Sequence, residues 1–75
     1  MKDLLNIIVK NLVDNKDDIK ITQRQEGDII VLELSVSNDD VGKVIGKQGK
    51  IAKAIRTVVK SAASYENKKV IVKIL

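Results

Sequence analysis

Two glycines, separated by two polar residues, stand at the junction of two helical patterns. Gly46 and Gly49 enclose Lys47 and Gln48, and apolar residues recur at every third or fourth position on both sides. Gly46 lies one residue past the first pattern, where glycine commonly ends a helix in a left-handed conformation. The chain is therefore expected to turn sharply at this GxxG loop (Gly46 to Gly49) and to begin a new helix at once.

The rest of the chain predicts a helix and two strands before the loop's helices and a strand after them. The first helix, capped by Asp3, is expected to end near Asn15, and a hairpin follows it. The stretch from Ser37 to Asp40, with a capping side chain and two acids, is expected to start the short helix that stops at Gly46. The third helix is expected to end near Ser64. Positions expected to face the core are Leu4, Leu5, Ile8, Val9, Leu12, Val13, Ile30, Leu32, Leu34, Val36, Val41, Val44, Ile45, Ile51, Ala52, Ile55, Val58, Val59, Ala62, Val70, Val72 and Ile74.

This order, α-β-β-α-α-β, predicts an α+β fold. A strand followed by two helices and another strand closes most simply as a right-handed crossover with its two strands parallel, whereas the hairpin strands are antiparallel. Each helix has one apolar stripe, so a three-stranded mixed sheet with three helices on one face is expected. Val31 and Ile71 would then point outward on the open face. The 75 residues, 1–75, are expected to form a single domain.

Composition argues against catalysis. The chain has no cysteine and no histidine, which excludes disulfides, thiol or imidazole chemistry and almost every zinc site. The acidic pairs Asp17-Asp18 and Asp39-Asp40 are adjacent, so on regular structure their side chains diverge, and they are interpreted as turn and cap residues. We therefore expect no catalytic residues, no metal and no cofactor.

The distribution of apolar residues points to a cytoplasmic protein. No apolar run approaches the roughly 20 residues that span a bilayer, and no signal peptide is visible. The net charge of +4 is compatible with a polyanionic partner and equally with ordinary solubility. Only the location of the cations can distinguish the two.

Four lysines gather around the GxxG loop, at Lys43, Lys47, Lys50 and Lys53. The amides of Lys47, Gln48 and Gly49 are expected to point outward at a helix N-terminus, which attracts phosphate. A nucleotide-binding P-loop is excluded because only three residues separate Gly42 from Gly46, and Gln48 replaces the required Ser or Thr. The alternative is a corner in which the glycines serve turn geometry alone, which leaves the lysine cluster unexplained.

The segment V-I-G-K-Q-G-K-I, from Val44 to Ile51, resembles the signature of the KH domain, and the element order resembles its type II form. Length and order are similar to the small stand-alone bacterial KH proteins of the KhpA family. The resemblance implies that the loop clamps about four nucleotides of single-stranded RNA. The site residues that it implies are Gly46, Lys47, Gln48 and Gly49 in the clamp, Val44 and Ile45 as an apolar wall, Ile51 to seat the loop, Val70 to Val72 as the opposite wall, and Ser64 to Lys69 as the variable loop. Lys43, Lys50 and Lys53 join these site residues because of their position beside the loop.

Tyr65 is the only aromatic residue, which argues against RNA-binding modules that stack bases on several rings. It is expected to be a half-buried packing residue. As an RNA-binding module, the chain is expected to act as a chaperone or assembly factor. A homodimer is expected because two linked short grooves bind more tightly than one and because Val31 and Ile71 offer apolar surface on the open sheet face. The resemblance implies the same self-pairing and a larger KH-containing RNA-binding partner. A protein-interaction module that uses the open sheet face or the third helix without RNA stays open as the alternative function.

Overall fold

The computed structural model describes all 75 residues and confirms the predicted α+β order. Helix α1 (Lys2–Lys10) precedes strands β1 (Lys20–Glu26) and β2 (Ile29–Ser35). Helices α2 (Val41–Ile45) and α3 (Lys50–Tyr65) follow, and strand β3 (Lys69–Ile74) closes the fold. Single 3₁₀ turns lie at Lys16–Asp18, Asn38–Asp40 and Lys47–Gly49. No helix is both long enough and apolar enough to cross a bilayer.

The three strands form one mixed sheet in the order β1-β2-β3. Strands β1 and β2 are antiparallel and pair Gln23 with Leu32, whereas β2 and β3 are parallel and pair Leu32 with Val72. Gly27 makes the hairpin turn with a φ of 63°, which glycine adopts without strain. The predicted antiparallel hairpin and parallel crossover are both confirmed.

One buried cluster joins the helices to one face of the sheet. Helix α2 contributes only Val44, because it is five residues long. The cluster consists of Leu5, Val9, Val13, Ile30, Leu32, Leu34, Val44, Ile55, Val59, Ala63, Val70 and Val72. Since every helix packs on this cluster, all three helices cover the same sheet face, as predicted.

Helix α1 ends five residues earlier than expected, at Lys10 and not near Asn15. The side-chain amide of Asn11 donates to the carbonyl oxygen of Ile7 at 2.8 Å, while the Asn11 backbone amide turns to Ile8. This side chain thus takes the acceptor that a continuing helix would use. The expected Asp3 cap is also wrong, because Met1 is the N-cap and Asp3 lies in the first turn.

The open face of the sheet is less apolar than expected. Val31 lies on this face but is only 2% exposed, whereas Ile71 is 42% exposed. Arg24, directly opposite Val31 on β1, forms ion pairs with Glu26 and Glu33. Long charged side chains therefore cover the apolar residue, and little apolar area is left for a partner.

Helix α3 is also attached to the outer edge of the sheet. Nε of Arg56 donates to the carbonyl oxygen of Val72 at 3.1 Å. Strand β3 has a partner on one side only, because β2 is its single neighbour in the sheet. The hydrogen bond from Arg56 therefore holds α3 against the edge strand.

Candidate functional site

The GxxG loop makes the predicted sharp turn with three positive φ angles. Gly46 has φ 75° and ψ 174°, and Gly49 has φ 74° and ψ 16°. Gln48 also lies in the left-handed region, at φ 56° and ψ 25°. The conformation at Gly46 differs from the expected left-handed one: it combines positive φ with extended ψ, a region that is essentially restricted to glycine.

Ile51 holds the loop from below. A Cβ added to Gly46 would lie 2.6 Å from Cγ1 of Ile51, closer than atoms of real side chains approach. Ile51 itself is half-buried and packs on the core cluster. The structure therefore places Ile51 against the first glycine of the loop, which agrees with the seating role that the resemblance implied.

The loop uses some of the amides that were expected to be free. The amide of Gly49 donates to the carbonyl oxygen of Gly46 at 3.2 Å, and the amide of Lys50 donates to Lys47. The prediction of an outward, unpaired Gly49 amide is therefore wrong. The physical reason is that positive φ at Gln48 and Gly49 bends the backbone so tightly that the loop closes on its own carbonyl groups.

Three of the four predicted lysines carry unpaired charge beside the loop. Lys47, Lys50 and Lys53 are exposed, and none of them forms an ion pair. Lys43 differs, since its ammonium donates to the carboxylates of both Asp14 and Asp40. The positive charge next to the loop therefore comes mainly from Lys47 and from the first turns of α3.

Charge position along the chain was a further signal in the sequence. Residues 43–75 contain nine Lys or Arg and one acidic residue. Residues 1–42 contain five Lys or Arg and nine acidic residues. Helix α3 carries the cations Lys50, Lys53, Arg56 and Lys60 and no acid. The net charge of +4 is therefore the sum of an acidic first half and a strongly basic second half, and the loop lies in the basic half.

Asp40 lies at the N-cap of α2, as its interpretation as a cap residue implied, but its side chain makes no cap hydrogen bond and has a different role that the sequence did not indicate. Its side chain is fully buried and accepts hydrogen bonds from the backbone amides of Asp14 at 3.2 Å and Asn15 at 3.0 Å. The Asn15 side chain and Lys43 donate to it as well, at 3.1 and 3.2 Å. The Asn15 amide is the largest cause that lowers the pKa of Asp40, to about 2, while Asp14 and Asp40 raise the pKa of Lys43. Asp39 beside it is exposed, so the pair diverges as predicted.

The two predicted apolar walls need correction. Val44 is fully buried, because it is the residue through which α2 joins the core, and only Ile45 retains some exposure. Val70 and Val72 are 4% and 3% exposed, because the pleat of β3 turns them toward the helices. These three valines therefore belong to the core and do not form the surface of the site.

Tyr65 is 89% exposed, so the prediction of a half-buried packing residue is wrong. It is the last residue of α3, and the helix ends before its ring reaches any neighbouring element. The predicted variable loop, Ser64 to Lys69, is exposed throughout. Val58 lies two helical turns before Tyr65 and is 49% exposed although it was predicted to be core.

An apolar groove runs between α1 and the outer side of α3. Its apolar lining residues are Ile8, Leu12, Ile51, Ala54, Ile55 and Val58. Along one side of α3, helical spacing aligns four residues: Ile51, Ala54, Val58 and Tyr65. The side of α3 that is not buried in the core therefore offers a second, apolar surface, separate from the charged residues Lys53 and Lys60.

Comparison with known proteins agrees with this geometry. The family model of the KhpA/KhpB KH domain matches residues 2–74. A protein of Clostridium perfringens named RNA-binding protein KhpA is 59% identical over 75 residues, which cover both chains completely. Proteins with the same name from Caldanaerobacter subterraneus and Chlamydia trachomatis are 51% and 45% identical over 75 residues, which are all of this chain and 100% and 96% of theirs. With its α-β-β-α-α-β order and its GxxG loop, the chain belongs to the KhpA/KhpB family of KH domains.

Proposed function

We propose that this chain binds single-stranded RNA at the GxxG loop and acts by binding, not by catalysis. The observation that carries the proposal is an exposed loop with glycines at both ends and the unpaired cations Lys47, Lys50 and Lys53 beside it. Glycine lets a phosphodiester approach the backbone closely, and lysine neutralises its charge. The relatives named RNA-binding protein support the same function.

Each site residue has a role in this proposal. Gly46 and Gly49 shape the clamp, and Lys47 and Gln48 present their side chains to the phosphates. Lys50 and Lys53 extend the positive charge along α3, whereas the charge of Lys43 is offset by Asp14 and Asp40. Ile45 contributes apolar surface, and Val44 acts only by holding α2 in the core.

The binding is expected to be modest in affinity and loose in sequence preference. A groove for about four nucleotides that lacks aromatic stacking makes few contacts, so dissociation constants in the micromolar range, of about 1 to 100 µM, are expected. Such an affinity suits an RNA chaperone or assembly factor, which releases its RNA. We place this activity in the cytoplasm and assign it to residues 1–75 as one domain.

Salt dependence tests the function directly. If about three or four phosphates are neutralised, log K for a single-stranded RNA falls with log salt at a slope of roughly −2 to −3. A protein-interaction module without an RNA ligand would show no binding to a mixed single-stranded pool at low salt. That result, or binding that does not respond to salt, would refute the proposal.

We also propose that the chain forms a homodimer through the apolar side of α3. Val58 and Tyr65 are 49% and 89% exposed, whereas on the open sheet face Ile71 is 42% exposed and Val31 only 2%. The helical side is thus the larger apolar surface, and covering it removes apolar area from water. Two linked clamps bind one RNA more tightly than one clamp does. A larger KH-containing protein is the second partner that we propose for the same surface.

A further inference from the structure

The side chain of Asp40 joins two parts of the chain that are far apart in sequence. Asp14 and Asn15 follow α1, while Asp40 lies directly before α2, 25 or 26 residues later. Four donors converge on this one fully buried carboxylate, and two of them are backbone amides. A buried carboxylate with this many donors is held in one position.

Helix α2 needs such an attachment. It has five residues, which is too short to be stable by itself, and Val44 is its only fully buried residue. Gly46 follows it immediately, and the amide of Gly46 donates back into α2, to the carbonyl oxygen of Gly42 at 2.9 Å. Any shift of α2 therefore moves the first glycine of the GxxG loop.

We infer that Asp40 is a positioning residue for RNA binding: by fastening the start of α2 to the backbone after α1, it holds the GxxG loop in its binding conformation. Asp40 itself is buried and contacts no ligand. Lys43 strengthens the attachment, since it is one turn further along α2 and donates to both Asp40 and Asp14. The inference rests on the proposed function, because the position of the loop matters only if the loop binds.

Hydrogen exchange at two amides reports on this attachment without any RNA. The amides of Gly46 and Gly49 are hydrogen-bonded within α2 and the loop, so their exchange rates measure how often this region opens. In Asp40→Ala, we expect both to exchange about tenfold faster relative to amides of the β1–β2 ladder, and RNA to bind about three- to tenfold more weakly. Ile30, buried in β2 outside the site, supplies the control: Ile30→Val or Ile30→Ala, whichever matches the stability of Asp40→Ala.

The outcomes separate positioning from general stability. If the Ile30 control raises Gly46 and Gly49 exchange and weakens RNA binding as much as Asp40→Ala does, the inference is overturned. If Asp40→Ala does not fold, Asn15→Ala takes its place, because it removes only the side-chain donor to Asp40. It should still raise hydrogen exchange at Gly46 and Gly49 relative to amides of the β1–β2 ladder. If the ratio of these exchange rates does not change, the inference is overturned. If exchange responds selectively while the wild-type chain binds no RNA, the attachment is supported and the proposed function is the part that fails.

Discussion

Gly46 and Ile51 are in such close contact that the first glycine of the loop has no room for a side chain. A Cβ at Gly46 would lie 2.6 Å from Cγ1 and 3.0 Å from Cβ of Ile51. Gly49, at the other end of the loop, has no atom within 4 Å of the equivalent position. The two glycines share a positive φ but differ in their packing.

Alanine at the two glycines should therefore have unequal effects. Gly46→Ala combines a glycine-only backbone conformation with a clash, and we expect it to lower the free energy of unfolding by about 3 kcal/mol. Gly49→Ala lies in the left-handed helical region in open space, and it should cost only about 1 kcal/mol. Urea denaturation of both variants measures the difference. Equal losses would show that backbone strain alone, and not the contact with Ile51, restricts Gly46.

Charge reversal in the loop should separate binding from folding. Lys47 and Gln48 are both exposed, so replacing both with Asp should change stability by only about 0.5 kcal/mol. Two carboxylates near a phosphate should weaken RNA binding by about 2 kcal/mol, or roughly thirtyfold.

The control for this double variant is Lys2→Asp with Lys20→Gln. It changes the net charge equally at exposed positions of α1 and β1. Circular dichroism and RNA titration check both proteins. A native spectrum with unchanged RNA affinity in the loop variant would make the loop a structural corner and remove it from the site.

Removal of the Asp14 charge should strengthen RNA binding. The Lys43 ammonium is held by Asp14, whose side chain is 80% exposed, and by the buried Asp40, so Asp14→Asn removes one of the two negative charges beside this cation and leaves the bond from Lys43 to Asp40 in place. We expect the affinity for RNA to rise about two- to threefold. The slope of log K against log salt should become steeper by less than about 0.7.

The matched control is Asp17→Asn, which makes the same charge change at an exposed residue outside any ion pair. In the Asp14→Asn background, Lys43→Gln should abolish the gain. An equal gain from Asp17→Asn would attribute the effect to net charge and not to Lys43.

Acid should weaken the fold through Asp40. Its pKa is lowered from 3.8 to about 2 in the folded state, so its stabilising contribution is complete above about pH 4 and is lost as the pH falls toward 2. The free energy of unfolding of the wild-type chain should therefore fall over this interval. In Asp40→Asn this group no longer titrates, so the difference in free energy of unfolding between this variant and the wild-type chain should shrink over the same interval. A difference that stays constant between pH 5 and 2, measured by urea denaturation, would contradict this.

A lysine on the apolar side of α3 should disrupt self-association. Val58 is 49% exposed in the groove surface, and Val58→Lys would place a charge inside the proposed dimer interface. We expect the dimer dissociation constant to rise at least about tenfold. Ile7→Lys is the control, since Ile7 is 60% exposed on α1 but does not line the groove. Sedimentation that shows a monomer of 8.3 kDa for the wild-type chain at high micromolar concentration would contradict the dimer.

Local patterns predicted the elements and the loop, because glycine spacing, capping residues and periodicity act over a few residues. The stretch from Ser37 to Asp40 illustrates this: it was predicted to start a helix, and the Ser37 hydroxyl accepts from the Asp39 amide as the cap of a 3₁₀ turn that leads into α2. Periodicity marks a side of a helix but not how deeply each residue is buried. Val58 was therefore assigned correctly to an apolar side of α3 and wrongly to the core, whereas Val44 is buried in the core as its helical spacing predicted.

Asp40 shows why part of the site could not be predicted. Next to Asp39 and before a helix, it has the local signature of a cap, and its actual donors lie 25 and 26 residues away in sequence. Only the three-dimensional arrangement brings the end of α1 to the start of α2. The same long-range contact decides that Lys43 is paired while Lys47 is free, although both lysines looked equivalent beside the glycines.

The hydrogen bond from Arg56 to Val72 also bears on aggregation. The outer edge of β3 is a row of backbone groups onto which a strand of another molecule could add. Arg56 occupies the Val72 carbonyl and places a bulky cation over the middle of that edge. An incoming strand would lose a ladder hydrogen bond there and would have to displace the guanidinium. Edge-to-edge growth along β3 is thereby disfavoured.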